Sequence, residues 1–199
     1  MFKLTVRGVA FSALFAALVV VFGFVSIPLG FTPVPITLQT LAVMLAGGLL
    51  GAAYGFFSMF MVVVLTAVGF PLLHGEGGIS VLLGPTGGYV WMWPIAALLI
   101  GWLAQRLRTN SVISVISIFL AMEVFGSLLL YVTGVPWLGY VANLSLAEAM
   151  VAGCYPYLLG DAIKAVAATV ITVSVRRLYP IQRLTGIDFS TPARSRSLN

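Results

Sequence analysis

The sequence predicts an all-α, polytopic membrane protein with six transmembrane helices and both termini in the cytoplasm. Three observations predict it. Only 8% of the residues are charged while 61% are hydrophobic, and mean hydropathy is +1.12. Soluble domains carry roughly 25% charged residues, so this chain cannot cover a water-facing surface. Its apolar stretches are continuous and about 20 residues long, enough for a helix to cross a hydrocarbon core of about 30 Å. They lack the apolar–polar alternation of a membrane barrel, and helices satisfy their own backbone groups in lipid. Finally, the basic residues gather at the ends of these stretches, on one side.

Residues 9–27 form the first predicted span. Lys3 and Arg7 precede it as in a signal peptide. The stretch is longer than a typical h-region and the chain stays apolar beyond it, so it is expected to be retained. Residues 38–70 carry no charge. One helix over them would reach about 50 Å, too long for a bilayer. The glycines at 47, 48 and 51 therefore predict two short spans, 38–50 and 52–70. The fourth span, 89–105, has Trp91 and Trp93 at one end and Trp102 at the other, as interfacial belts do. Spans over 111–132 and 155–175 complete the set. Residues 1–178 are expected to form one membrane domain, and 179–199 a polar, frayed cytoplasmic tail.

Charge supports that count. With six spans, Lys3, Arg7, Arg106, Arg108, Arg176, Arg177, Arg183, Arg194 and Arg196 all fall inside, and the remaining cation, Lys164, lies within a span. A single helix over 38–70 would put the later clusters outside, against the positive-inside rule. The long connections, 28–37, 71–88 and 133–154, then face outward, so a site built from loops opens outward. Basic residues placed this way signal topology, not nucleic-acid binding. A single cysteine, Cys154, excludes an intrachain disulfide.

Of five acidic residues, Asp188 lies in the tail, and Glu76 and Glu148 lie in outer loops as solvated charges. Glu123 and Asp161 lie inside spans, where an ionisable group is expensive and a functional candidate. Asp161 and Lys164 are three apart on one helical face, in the outer half of their span. They form either an ion pair that makes the helix tolerable or a ligand-binding pair beside the outer loops. Glu123 is expected to pair with Lys164 or to stay protonated, in a packing or gating role.

Two loops add candidates. Gly84, Pro85, Thr86, Gly87, Gly88 and Tyr89 lead into a helix N-terminus, which suits an anion and is used by transporters for substrate carboxylates. A plain glycine-rich turn is the equal alternative, and there is no phosphate-loop signature. Pro33 to Thr40 opens the second span, with Thr37 as a helix cap and Thr37, Gln39 and Thr40 offering hydrogen bonds. His74 stands alone and makes a poor metal site. No Ser-x-x-Lys, G-x-S-x-G or H-E-x-x-H pattern occurs, so no catalytic residue and no metal ligand is assigned. On the first span, Ala13 and Ala17, and in parallel Ser12 and Ala16, are spaced for close helix approach, within the bundle or against a partner.

Taken together, PVPITLQTLAVMLAGGLLG at 33–51, GPTGGYVW at 84–91 and GDAIKA at 160–165 resemble the BioY family, the biotin-binding S components of energy-coupling-factor (ECF) vitamin importers. The resemblance covers roughly residues 10–178. It implies six membrane helices, an outward pocket, a plasma-membrane (cell inner membrane) location, and biotin as transported ligand with no cofactor. It also implies that the first helix, through Ala13 and Ala17, docks on a transmembrane coupling subunit that works with two ATPase subunits. In such a site Asp161 would accept from the ureido N–H groups of biotin, and Lys164 would meet the ureido oxygen or the carboxylate. The Gly84–Gly88 backbone would hold an anionic part, and Tyr89 would cover the apolar ring. The chain departs from the family where Ile79, Val81, Leu82 and Leu83 leave only Ser80 polar before GPTGGY. That departure leaves room for another small vitamin; an intramembrane enzyme is the further alternative.

Overall fold

The computed structural model describes residues 5–107 and 111–186. Among them, five helical runs are long and apolar enough to cross a membrane: Val6–Phe24, Gln39–Val68, Gly87–Arg106, Val112–Ala142 and Leu158–Leu178.

Helix α1, Val6–Phe24, starts on Thr5, whose hydroxyl accepts from the Gly8 N–H at 3.0 Å. It stops short of residue 27 because Ser26–Ile27 (β1) pairs antiparallel with Ile36–Thr37 (β2). This ribbon holds residues 28–35 as a loop at the end of the bundle. The two small-residue pairs of α1 divide. Ser12 and Ala16 are buried, with Ser12 donating to the Tyr54 carbonyl and Ser58 donating to the Ser12 carbonyl. Ala13 and Ala17 are exposed.

The central helix α2, Gln39–Val68, is two arms. Gly51 has φ 80 and ψ −177, a region open only to glycine. The chain reverses there, since a Cβ on Gly55 would lie 3.0 Å from the Gly47 Cα. In an unbroken helix those residues would be about 12 Å apart. The predicted break is therefore present, at Gly51. The short turns α3 (Ile79–Leu82) and α4 (Gly87–Val90) lead into α5, Trp93–Arg106. Gly101 of α5 packs directly on the Gly51–Ala52 backbone, the close approach by which membrane helices associate without a hydrophobic drive. Trp93, expected as an interfacial anchor, is 3% exposed inside the bundle. Trp91 and Trp102 do face outward, and the Arg106 guanidinium lies 3.6 Å from the Trp102 ring centroid.

Helix α6, Val112–Glu123, continues through a π turn, Val124–Leu128, into α7, Leu129–Ala142. It overruns the predicted end at 132 because the chain stays apolar and uncharged as far as Ala142. Pro136 is accommodated, as prolines are in membrane helices, and Asn143 ends the run in a left-handed conformation. The expected outer loop over 133–154 is thus largely helical, with α8 at Leu146–Gly153. Glu148, expected as a solvated loop charge, completes a capping box. Ser145 Oγ accepts from the Glu148 N–H, and the Glu148 carboxylate accepts from the Ser145 N–H. The Ser145 hydroxyl also donates to that carboxylate at 2.7 Å, and this bond, with the one from the Ser145 N–H, holds the carboxyl below the usual range.

Helix α9, Leu158–Leu178, turns Leu159, Ile163, Val166 and Val170 outward and Asp161, Lys164, Ala165 and Ala168 inward. After it, Ile181–Thr185 forms a short helix, α10, with Ile181 and Thr185 buried. The Thr5 hydroxyl donates to the Thr185 carbonyl, so the first part of the expected polar tail packs against the start of α1. The remainder of the tail lies outside the described residues.

Candidate ligand cavity and its buried ion pair

A cavity of about 540 Å³ opens between the β1–β2 loop and the segments before α5, a size that suits a small organic ligand. One wall is Pro33, Val34, Pro35, Thr37 and Gln39; facing it are Leu73, His74, Glu76, Ser80 and Val81. Gly84, Pro85, Thr86, Tyr89, Val90 and Trp93 close it. Prolines stiffen the first wall, and the Tyr157 hydroxyl donates to the Val34 carbonyl at 2.5 Å, tying this wall to the start of α9. The second wall turns sharply at His74 and Gly75, with φ 56 and 82, where Leu73 bridges Glu76.

Of the predicted ligand residues, Thr37, Gln39, Gly84, Pro85, Thr86 and Tyr89 lie on the cavity wall. Gly87 and Gly88 do not. A side chain on Gly87 would run into the Leu82 carbonyl, and one on Gly88 into Trp137. Their missing Cβ atoms serve helix packing. The GPTGG turn is itself held by Trp137 Nε1, which donates to the Gly84 carbonyl at 2.9 Å, and by the Thr133 hydroxyl, which donates to the Gly88 carbonyl at 2.8 Å.

Asp161 and Lys164 lie behind the wall. Their ion pair measures 2.8 Å and both side chains are nearly buried. Lys164 Nζ also donates to the Thr40 hydroxyl at 3.1 Å, and Thr40 donates to Asp161 Oδ1 at 3.3 Å. Asp161 Oδ2 accepts from Tyr131 at 2.5 Å and from Ser127 at 3.4 Å. The cluster meets the cavity at two points. Thr40 follows the wall residue Gln39, and the Tyr131 ring stands edge-on to the wall residue Tyr89, with centroids 6.3 Å apart. Glu123 does not pair with Lys164, which is committed to Asp161 and Thr40; its Oε2 is buried without a hydrogen-bond partner among the described residues.

His74, Glu76 and Trp93 are wall residues beyond those expected from the sequence, as Ser127 and Tyr131 are as partners of Asp161. For the last two a signal existed. Glu123, Ser127 and Tyr131 recur every four residues, a polar stripe in an otherwise apolar run.

His74 yields a pH prediction. Burial lowers its pKa, outweighing the opposing pull of Glu76. A folded value below the unfolded one means that the neutral ring contributes stability fully above about pH 6.5 and loses it as pH falls through the folded value. The effect is small because part of the ring meets solvent. Acidification should lower the melting temperature of the parent more than that of His74→Gln. Equal pH profiles would show that His74 protonation is not linked to folding.

Residues 1–181 match the BioY family. A protein of Rhizobium etli named biotin transporter BioY is 38% identical over 183 residues, covering 89% of this chain and 97% of its own length. One of the same name from Lactococcus lactis subsp. cremoris is 35% identical over 175 residues, covering 87% and 90%. A solved structure described as the S-component for biotin from an ECF-type ABC transporter matches with a TM-score of 0.80 at 35% identity, covering 86% of this chain and 92% of its own. With its family match running through every helix that frames the cavity, the chain belongs to the BioY family.

Proposed function

We propose that this chain is the substrate-binding S component of a biotin importer in the plasma membrane, capturing biotin on the outer face without chemical turnover. The observation that carries this reading is the Asp161–Lys164 pair set behind a cavity of ligand size. Biotin presents a ureido group with two donors and one acceptor, an apolar sulfur ring and a carboxylate. The cavity matches these with apolar walls around Tyr89 and Trp93 and with Thr37 and Gln39 as hydrogen-bonding groups. Asp161 accepts from the ureido N–H groups, and Lys164 binds an oxygen of the ligand. Charged contacts of this kind are strong where water is excluded.

A single membrane domain with six crossings and cytoplasmic termini fits this role. The two arms of α2 then cross separately, and the basic residues outside the spans stay inside. Impermeant labelling of cysteines placed at Gly75 and Arg106 checks it, with Gly75 reacting from outside and Arg106 only after permeabilisation. The reverse pattern would invert the topology.

The outward face of α1 at Ala13 and Ala17 is the docking surface for a transmembrane coupling subunit, which works with two ATPase subunits. Ala13→Trp with Ala17→Trp should leave biotin affinity unchanged in the isolated chain and abolish co-purification with the coupling subunit. Retained co-purification would move the interface elsewhere.

A thermal-shift panel of biotin, thiamine and riboflavin tests the ligand. Saturable stabilisation by biotin alone is expected; stabilisation only by another vitamin would reassign the cavity.

A further inference from the structure

Asp161 is gripped at both carboxylate oxygens. Lys164 and Thr40 take Oδ1, while Ser127 and Tyr131 take Oδ2. Charge balance is already provided by Lys164, so Ser127 and Tyr131 are not needed to neutralise the carboxylate. What they add is orientation: two donors on the second oxygen fix the plane of the group. Both come from one place in the fold, the π turn Val124–Leu128 and the helical turn after it. π turns are rare and concentrate at functional sites. Ser127 is fully buried, so its hydroxyl has no water to turn to. Tyr131 touches Asp161 with its hydroxyl and Tyr89 of the cavity wall with its ring.

We propose that Tyr131, supported by Ser127, is a positioning residue for ligand capture. It holds the Asp161 carboxylate by Oδ2, so that Oδ1 and the Lys164 ammonium are presented together on the Thr40 side, next to the cavity wall at Gln39. This rests on the reading of Asp161 and Lys164 as the ligand-binding pair. The hydroxyl of Tyr131 itself touches no ligand; it acts through Asp161.

The test compares Tyr131→Phe, Ser127→Ala and Asp161→Asn in the full chain, with melting temperature read alongside. Each is titrated with biotin and with a biotin methylated on a ureido nitrogen. The analogue lacks one donor for Asp161, so the ratio of the two affinities reports how well that carboxylate is aimed. Tyr131→Phe should weaken biotin by about tenfold, the loss of one charge-assisted hydrogen bond, and should shrink the ratio. A merely structural role would weaken both ligands alike. Ser127→Ala should act in the same direction with a smaller effect, and it decides the matter if Tyr131→Phe does not fold. An unchanged ratio in these variants, with a collapsed ratio in Asp161→Asn, overturns the positioning role alone. Parent-like binding and ratio in Asp161→Asn overturns the underlying reading of the pair.

Discussion

Asp161→Ala should abolish measurable biotin capture and cost about 3–5 kcal/mol of stability, because it strands the Lys164 ammonium in a buried site. The geometry explains the size of the effect. The pair is 2.8 Å long and nearly dry, and the carboxylate also takes hydrogen bonds from Thr40, Ser127 and Tyr131. Its removal leaves three hydroxyls and one cation without their common acceptor. An exposed ion pair would contribute at most about 1 kcal/mol. Stability and capture separate in the double variant Asp161→Leu with Lys164→Met. Replacing both charges by apolar groups removes the stranded cation, and such replacements are often neutral or stabilising. The double variant should regain most of the lost melting temperature and still fail to bind biotin. Recovered binding in it would show that the pair serves the fold alone.

Gly51→Ala and Gly101→Ala should each prevent folding or lower the melting temperature severely, as read by thermal unfolding in detergent and by yield of monodisperse protein. At Gly51 two costs add. The backbone sits at φ 80 and ψ −177, where a side chain costs about 1–3 kcal/mol, and a new Cβ would strike the Gln105 amide. Gln105 is flexible enough to give way, so the backbone strain dominates there. At Gly101 the order reverses. Its own conformation is ordinary helix, but a methyl group would collide with the Gly51–Ala52 backbone, which cannot turn aside. Gly101→Ala should therefore be the more damaging of the two. By contrast Gly30→Ala, where a Cβ would meet nothing within 4 Å, should be silent. Parent-like melting of Gly101→Ala would contradict the close contact between α5 and the α2 reversal.

The reversal in α2 was legible because a length argument required it. An uncharged run too long for one crossing must turn, and glycine marks where. The Asp161–Lys164 pair was legible because spacing three on a helix fixes a shared face. Their partners were not. Thr40 and Tyr131 reach Asp161 from 121 and 30 residues away, and only the packing of α2, α7 and α9 brings them together. Tryptophan was ambiguous for a different reason. Trp91 and Trp93 are two apart in sequence, yet one faces outward and the other lines the cavity; composition cannot tell a lipid anchor from a ligand platform. The end of α7 was hidden because Thr133 to Ala142 stays apolar apart from Pro136 and Thr133 itself, and proline is a weak stop in lipid. Gly87 and Gly88 gave a true signal of close approach, but the approaching groups are Leu82 and Trp137.

A substrate-binding subunit of this kind captures biotin by itself, without its coupling partners. Titration calorimetry of the purified, detergent-solubilised protein tests it most directly, with a cooperative melting transition as proof of folding. A saturable heat of binding for biotin at one site per chain is expected, absent in Asp161→Ala. A folded sample that gives no heat with biotin at any concentration tested would contradict it.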